Sequence, residues 1–542
     1  LSRPNLERVR PYLVALVPRA APAGAGSPSP VGAAPRPSDA RQLTWQTRLR
    51  LTASDGFDRG GGSTGFPGPL GSFGRLRVKY GEELAFSAAC EKDQGERDVL
   101  DHVAVAAVWK KDEFSLGVGD LVGTWGQGLL FGRGGFPTTD GYPRTRSGIR
   151  TYDGAGEASA RRGAFAEAER GRVRLQMLVA GSRLDASLNE QGLATTVRTS
   201  GRHCTESEVA GADILGETLV GARATVSCPA DVEVSASTLH ARYSLPLALG
   251  DDERKRFGFS GREAALFGAD VVIRGEDVVA GCELAGGAGG GIAAIGSARV
   301  KRGGAVAHAG GGFLSRDYWS PLGGGVPGFS GGSNGAVGWV GLEYRPAASA
   351  RLETEIRVTG RPWRSYHLEL PDRSTSFRIG GSVSLSAVGR LSAEAVTRQG
   401  ATEVGETNAT AEKTTSRLRV SLRSHGHTPI LVTVTRASSS LVETEEGALL
   451  ALAIAVEGTV HSDVLYRAGV TATAATGSAP VIVHYEPGLP GEFSLRSLNV
   501  SGTRWYIRVH TELPSGLGVT LRAGGGPRSG QWECGILVDA GG

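Results

Sequence analysis

A regular alternation of apolar and polar residues runs through most of this sequence, and it limits the possible folds more than any other feature. Near the start, Leu43, Trp45, Leu49 and Leu51 occupy odd positions, while polar residues occupy the even ones. A period of two places successive side chains on opposite faces of an extended chain, so it predicts β-strands. The same alternation is found in the segments 75–80, 172–179, 417–423 and 504–510.

The number of such segments between Gln42 and Gly542 indicates a closed membrane barrel. At the usual length of a membrane strand, this stretch accommodates roughly 22–26 strands. So many strands cannot share one soluble core, and no linker divides them after residue 41. A barrel with its apolar face toward lipid leaves no strand edge unpaired. We therefore predict an all-β fold, a large transmembrane antiparallel β-barrel of roughly 22–26 strands in the bacterial outer membrane.

The connections between the predicted strands fall into two classes. Short polar turns are found at 81–83, 111–113 and 169–171, whereas long glycine-rich connections cover 55–71, 131–158, 320–335 and 486–500. Outer-membrane barrels have short turns on the periplasmic side and longer loops outside the cell. The two classes are therefore expected at opposite rims of the barrel.

The N-terminal residues differ from the rest. Residues 1–17 have apolar residues at roughly helical spacing and are expected to be a short helical remnant, although Pro11 falls inside the pattern. Residues 18–41 are rich in Pro, Ala and Gly and predict a linker. Residues 42–542 form the predicted barrel. Because the sequence begins with Leu1 rather than methionine, we expect it to be a processed or truncated product.

Basic residues recur on the polar face of the predicted strands. If the apolar face contacts lipid, these side chains face the lumen, where a concentration of positive charge attracts anions. The alternative is that they form ion pairs with acidic residues of other strands or of a plug. The candidate lumen-facing residues are Arg48, Arg50, Arg75, Arg77, Lys79, Arg172, Arg174, Arg417, Arg419, Arg423, Arg504 and Arg508.

A series of short motifs resembles one family of bacterial proteins, best represented in Bacteroidetes. The motifs are Val118-Gly119-Asp120, Trp125–Leu130, Gly148–Tyr152 with Glu157 and Arg162–Ala164, Ser200–Glu208 with Gly221, Ser315–Tyr318, Gly341–Pro346, Pro362–Arg364, and Tyr485-Glu486 followed by Gly502–Tyr506. Members of this family are outer-membrane proteins in which a periplasmic helix-hairpin-helix region precedes a large β-barrel. The resemblance covers about residues 42–540, and it implies that residues 1–17 are the end of the helix-hairpin-helix region.

The sequence departs from the family pattern in ways that bear on function. Family members usually have Arg at the position of Cys204 and Pro at the position of Thr151. The hairpin turns that would contact DNA phosphates are absent from residues 1–17. The resemblance therefore implies DNA only as a partner of a region that precedes this sequence.

Several charged residues in and near these motifs form a predicted loop network. One interpretation is a set of ion pairs that fixes the 125–158 connection, and the other is a selectivity ring in the lumen. His203 with neighbouring acidic residues is expected to anchor a loop rather than to bind a metal. The residues of the predicted network are Asp120, Arg150, Glu157, Arg162, His203 and Glu208.

Motifs for catalysis are weak or incomplete. The segment Gly123–Gly135 lacks the Lys of a phosphate-binding loop, so we expect it to fold into the lumen as a constriction, or to form a kink or an external loop. Gly328–Gly332 matches G-x-S-x-G without the strand and helix of a nucleophile elbow. We therefore predict no enzyme, no catalytic residue, no cofactor and no metal site.

Two functions remain open from the sequence. The first is a channel or transport protein, with an anionic polymer such as DNA as a candidate substrate of an uptake system. The second is a plugged structural barrel that serves as a platform for a secretion, surface-attachment or DNA-uptake complex. The expected partners are outer-membrane lipid and other envelope proteins, with DNA through the preceding region.

Overall fold

The structure is a computed structural model of the 542-residue chain. It describes residues 42–54, 70–96, 98, 100–133, 143–145, 147–250, 256–287, 289–324, 326, 334–364, 371–385, 389–404, 409–426, 428–441, 444–460, 464–492, 495–526 and 532–542. The predicted helical remnant 1–17 and the linker 18–41 lie outside the described residues.

The described chain is almost entirely β-structure, as the alternation predicted. The first fifteen strands are β1 Leu43–Ser54, β2 Leu70–Tyr80, β3 Leu84–Lys92, β4 His102–Lys111, β5 Phe114–Thr124, β6 Gly132–Arg133, β7 Gly148–Thr151, β8 Arg161–Arg170, β9 Val173–Leu184, β10 Ala186–Leu188, β11 Ala194–Val197, β12 Leu215–Cys228, β13 Val232–Ala248, β14 Ser260–Arg274 and β15 Val278–Gly287. The other strands are β16 Ile292–Arg302, β17 Ala305–Leu314, β18 Gly335–Ala347, β19 Ala350–Arg361, β20 Asp372–Leu385, β21 Gly389–Val404, β22 Ala409–Ser424, β23 Ile430–Leu441, β24 Thr444–Val460, β25 Val464–Gly477, β26 Ile482–Tyr485, β27 Leu495–Leu498, β28 Gly502–Glu512, β29 Leu517–Gly525 and β30 Trp532–Gly541.

In the described residues, 24 of these strands form the wall of a closed antiparallel barrel, within the predicted range. The short strands β6, β7, β10, β11, β26 and β27 belong to connections. Each wall strand pairs with its neighbours, and β1 pairs with β30 from Gln46↔Gly541 to Ser54↔Glu533. This last pairing closes the sheet, so its edges are abolished.

The two rims of the barrel differ as predicted. Turns such as 81–83, 171–172 and 303–304 lie at one rim, together with the start of β1 and the end of β30. We call it the short-turn rim. The opposite, long-loop rim has the connections β5–β8, β9–β12, β17–β18 and β25–β28. By the usual orientation of such barrels, the short-turn rim faces the periplasm.

The outer surface of the wall is apolar. Its exposed side chains include Leu284 at 63 %, Phe267 at 61 % and Leu418 at 51 % exposure, each next in sequence to an inward-facing residue. Of the helices in the described residues, none has the length and apolar character needed to cross a membrane. A closed wall with an apolar outer face is the surface that a bilayer solvates, and the protein is an outer-membrane β-barrel.

The buried core lies between the inner face of the wall and connections that enter from the long-loop rim. One apolar cluster joins Trp125, Leu130 and Leu322 of these connections to wall residues such as Leu219 and Leu266. A second cluster packs β26 and β27 against β23 and β24. Helical structure in the described chain is limited to a single turn at Glu157–Ser159 and to α1, Glu206–Ala210. The lumen is therefore occupied, at least along its wall, by the protein's own loops.

Gly119 interrupts the pairing of β4 and β5, which ends at Ala106↔Gly119. Its φ angle is +109°, and a Cβ at this position would lie 2.0 Å from the Val105 carbonyl oxygen. We predict that Gly119→Ala destabilises the barrel by about 1–3 kcal/mol or more, because both the backbone angle and the contact exclude a side chain. The urea midpoint of the refolded barrel, followed by tryptophan fluorescence in micelles, measures this effect.

Gly338→Ala in β18 is the matched control, because a Cβ there meets no atom within 4 Å. Its urea midpoint should stay at the wild-type value. Equal midpoints for the two variants would contradict the role assigned to Gly119.

Candidate functional site: the lumen

The segment Trp125–Phe131, which we call the inner loop, is held inside the barrel. Trp125, Leu129, Leu130 and Phe131 are buried. The backbone N–H groups of Leu129 and Leu130 donate to the carboxylate of Glu283 at 3.0 and 3.1 Å. Glu283 lies on the inner face of β15, where its side chain is also buried. One wall carboxylate thus satisfies two backbone donors of the loop, and charged acceptors make stronger hydrogen bonds than neutral ones.

Glycines in the wall make room for the inner loop. A Cβ on Gly221 of β12 would lie 2.8 Å from the Trp125 ring, and a Cβ on Gly281 of β15 would lie 2.5 Å from the Gln127 amide. Both glycines face inward, so the loop approaches the backbone of the wall closely. The wall and the loop fit because these inward positions carry no side chain.

A second connection from the long-loop rim supports the inner loop. The hydroxyl of Tyr318 donates to the Leu129 carbonyl at 3.0 Å, and the hydroxyl of Ser320 donates to the Leu130 carbonyl at 2.7 Å. Phe131 also forms a β-bridge with Leu322. The inner loop is therefore fixed by the wall on one side and by the 318–322 segment on the other.

The strands β26 and β27 form a lumen hairpin at the other side of the barrel. Glu486, which follows β26, accepts a hydrogen bond from Arg504 at 3.0 Å and lies 3.5 Å from Arg522. Arg522 also pairs with Glu533 of β30 at 2.7 Å, and Arg496 of β27 pairs with both carboxylates. Three guanidinium groups and two carboxylates thus attach the hairpin to β28, β29 and β30.

A continuous row of ion pairs lines the inner wall from β18 to β22. Successive pairs are separated by 2.9, 3.0, 2.8, 3.4 and 3.1 Å. The row, which we call the ionic ladder, consists of Glu343, Arg351, Glu353, Arg378, Glu394 and Arg417. Most of its side chains are half-buried, so the carboxylates neutralise much of the positive charge on this part of the wall.

The structure places all but one of the predicted lumen residues on the inner face of a wall strand. Several have acidic or backbone partners: Arg48 donates to the Pro490 carbonyl at 3.4 Å, and Arg174 lies 3.7 Å from Glu233. The inward-facing set is Arg48, Arg50, Arg75, Arg77, Lys79, Arg174, Arg417, Arg419, Arg423, Arg504 and Arg508. Arg172 differs, because it lies in the exposed turn between β8 and β9, where side chains no longer alternate between the two faces of a strand.

The predicted loop network is divided among different places. Arg162 is 62 % exposed on the outer face and pairs with Asp120 at 3.0 Å, while Asp120 accepts the Val105 N–H at 2.8 Å. This pair joins β4, β5 and β8 where the β4–β5 pairing ends, so it is not part of a lumen ring. Arg150 is exposed on β7, and Glu208 caps α1 through the Thr205 N–H.

His203 and Glu157 of the predicted network do meet, at the long-loop rim. The His203 Nδ1 lies 3.1 Å from both carboxylate oxygens of Asp101, and its Nε2 lies 3.1 Å from Asp185. Burial opposes a charge on His203, but the hydrogen bond to Asp101 and the charge of Asp185 raise its pKa to about 9. Burial, with the nearby Asp185 carboxylate, raises the pKa of Glu157 to about 7. We call Glu96, Asp101, Glu157, Asp185 and His203 the rim cluster.

Sequence reasoning missed the acidic partners. Glu283 and Glu486 anchor the loops, and Asp101 and Asp185 hold His203. The alternation of side chains along β15 places Glu283 on the inner face. A single acidic residue among small inward-facing residues is a sequence signal that could have indicated a partner inside the lumen. The Gly328–Gly332 motif lies outside the described residues.

Comparison with known proteins gives architectural likeness at most. No family model matches the chain, and no curated protein matches it. The siderophore receptor PirA from Acinetobacter baumannii is 7 % identical with a TM-score of 0.43, and the match covers 93 % of this chain and 81 % of that one. The P pilus usher PapC translocation pore is 9 % identical with a TM-score of 0.37, covering 92 % and 99 %. Because these values are low, no function is inferred from either protein.

We predict that Glu283→Gln loosens the inner loop without unfolding the barrel. The amide offers one neutral acceptor oxygen, so one of the two buried N–H groups loses its acceptor and the other keeps only a neutral one, at a cost of about 1–3 kcal/mol. Hydrogen exchange at the Leu129 and Leu130 amides should accelerate about tenfold or more, since about 1.4 kcal/mol corresponds to a factor of ten.

The control variant is Glu263→Gln, which changes an exposed glutamate on the outer face of neighbouring β14. Its exchange rates at the inner loop should match those of the wild type. Unchanged protection of Leu129 and Leu130 in Glu283→Gln would show that apolar packing alone holds the loop.

Proposed function

We propose that the chain is an outer-membrane transport protein whose lumen is plugged by its own loops. The observation that supports this most strongly is the inner loop, which is attached to the wall by Glu283 and packed among buried apolar residues. A wall of 24 strands encloses a wider space than the 16–18-stranded porins, in which the aqueous channel is open. A wide lumen partly filled by its own connections is suited to gated passage rather than to free diffusion.

The charge of the inner wall favours anionic solutes beside the middle of β1 and β2. Arg48 and Arg75 face each other across β1 and β2, whereas the adjacent Arg77 is paired with Asp153. Lys79 and Arg508 face the lumen nearby, and Arg508 donates to the Gly488 carbonyl at 3.3 Å. Basic groups on a low-dielectric wall raise the local concentration of anions. An anionic polymer such as DNA belongs to this class, and the helix-hairpin-helix resemblance makes it one polymer to test.

The second candidate function is a platform for an envelope complex, in which the lumen stays closed. The hairpin network favours it, because Glu486 and Glu533 are held by three arginines and a locked hairpin blocks passage. Neither function requires an enzyme. The two functions differ in one measurable property, which is conductance.

Conductance of the purified barrel in a planar bilayer separates the two functions. We expect small or intermittent wild-type currents, and larger steady currents for Glu283→Gln or Glu486→Gln, because each removes an anchor of a lumen segment. Currents that are absent from the wild type and from both variants would contradict transport and favour the platform.

Ion selectivity tests the anionic solute class. In the conducting form, Arg48→Glu combined with Arg75→Glu should lower the anion-to-cation permeability ratio severalfold, because it reverses the charge of facing side chains in the lumen. Reversal potentials across a salt gradient measure the ratio. Arg242→Glu is the control, since Arg242 is 72 % exposed on the outer face. An equal change in both proteins would contradict an anion-attracting lumen.

A further inference from the structure

The rim cluster brings together residues from separate connections of the long-loop rim. Glu96 and Asp101 come from the connection between β3 and β4, and Glu157 comes from the connection between β5 and β8. Asp185 and His203 belong to the connection between β9 and β12. His203 is 13 % exposed, and its acidic neighbours Asp101 and Asp185 are 12 % and 10 % exposed. Three long connections therefore meet at one partly buried imidazole.

We propose that His203, Asp185 and Glu157 bind a divalent first-row transition metal ion. One Nε2 and one oxygen from each carboxylate lie within 4.8 Å of one another. The Nε2 of His203 is 3.1 Å from Asp185 Oδ2. For metal–ligand bonds of about 2.0–2.2 Å, adjacent ligand atoms are about 2.8–3.1 Å apart in octahedral geometry and about 3.3–3.6 Å apart in tetrahedral geometry, so this pair is already near ligand spacing.

The imidazole is oriented as a metal ligand usually is. A metal-bound histidine commonly donates its other ring N–H to a carboxylate, which fixes the ring and strengthens the ligand. Asp101 stands in that position, at 3.1 Å from Nδ1. The His203 backbone N–H donates to Glu96 at 3.2 Å, and Asp185 Oδ1 accepts the Asp213 N–H at 3.0 Å. The outer groups thus fix the ring and leave Nε2 and Asp185 Oδ2 adjacent to each other, 3.1 Å apart.

Glu157 supplies the independent indication of a ligand. Its Oε2 is buried and has no hydrogen-bond partner among the described residues. Leaving a buried oxygen of this kind without a hydrogen-bond partner is unfavourable. Gly201 packs against this carboxylate, because a Cβ at Gly201 would lie 2.7 Å from Oε2. A cation between Glu157, Asp185 and Nε2 would satisfy this oxygen.

The surroundings admit a cation. A cavity of about 930 Å³ is bordered by Asp101, Glu157 and Asp185. Within the described part of the chain, no Lys or Arg forms an ion pair with any of these three carboxylates. Arg161 and Arg162 also border the cavity, but each is paired with another acid, Glu217 and Asp120 respectively. The carboxylates therefore remain available to a metal.

The ligand set indicates which class of metal binds. One imidazole and two carboxylates suit first-row divalent ions, whereas Ca²⁺ requires six to eight oxygen ligands. The thiol of Cys204 is directed at the Gln94 carbonyl at 3.5 Å and is not part of the set. Because the ligands come from two connections and Asp101 from a third, a bound ion would tie the long-loop rim together.

Calorimetry with Zn²⁺ as the probe tests the site. The full chain in detergent is stripped with EDTA, and its exposed cysteines, Cys228, Cys282 and Cys534, are alkylated beforehand. We expect saturable binding of about one ion per chain and a rise in the thermal unfolding temperature. His203→Gln and Glu157→Gln should each weaken binding at least tenfold, and Asp101→Asn should weaken it about 10–100-fold.

Two variants keep the result interpretable. Glu157→Gln removes no hydrogen bond of Oε2, so it should fold like the wild type even if His203→Gln does not. His240→Gln is the control, because His240 is an outer-face histidine that lies near an exposed glutamate, Glu263. This substitution should leave Zn²⁺ binding unchanged. Absence of wild-type binding, or equal affinity in the wild type and Glu157→Gln, would overturn the proposal.

Discussion

Pairing of every backbone N–H and C=O group inside the wall is the constraint on which the rest of this structure depends. A bilayer offers no hydrogen bonds to an open strand edge, so the sheet closes where β1 meets β30. Closure divides the side chains of each strand into a lipid-facing and a lumen-facing set. Because the two sets alternate, the sequence must alternate too. Most charged residues of the wall are therefore directed into the lumen, and exceptions such as Arg242 and Glu263 pair with each other on the outer face. The polar interior of the barrel is thus a consequence of the lipid that surrounds the wall.

Charges in the lumen then require partners, and the structure provides them from neighbouring strands and from loops. Arg378 lies between Glu353 and Glu394, while Arg522 is shared by Glu486 of the hairpin and Glu533 of the wall. A row of arginines considered by itself suggests an anion path. With the carboxylates in place, much of that charge is neutralised. Among the described residues, the basic groups without an ion pair include Arg48 and Arg75, which face each other at the middle of β1 and β2.

The sequence predicts those parts of the fold that depend on local pattern, but it does not predict those that depend on contacts between residues far apart in the chain. Strands, their inward faces and the two rims follow from a period of two and from turn lengths. The alternation predicts an inward Arg172, but this residue lies in the turn between β8 and β9, where side chains no longer alternate between two faces. The sequence predicts that Arg162 and Asp120 belong to a network around the 125–158 connection. In the structure they lie on the outer face, beside the irregular pairing at Gly119. Glu283 meets Leu130 across 153 residues, a contact that no local pattern specifies.

The two lumen segments are held by different chemistry, and this decides which of them can yield to a passing solute. Displacing the inner loop would expose Trp125, Leu129 and Leu130 to water and break two buried hydrogen bonds, so its removal is opposed by the hydrophobic effect. The hairpin has a smaller apolar contact, in which Ile482 and Leu498 pack against β23 and β24, and it is also held by arginines, of which Arg496 is 29 % exposed. An anionic solute can replace Glu486 and Glu533 as the partner of these arginines. No water-soluble group can replace the apolar side chains that pack around the inner loop. For the transport function proposed above, the hairpin is therefore the segment expected to yield, and the inner loop is expected to stay in place as a constriction.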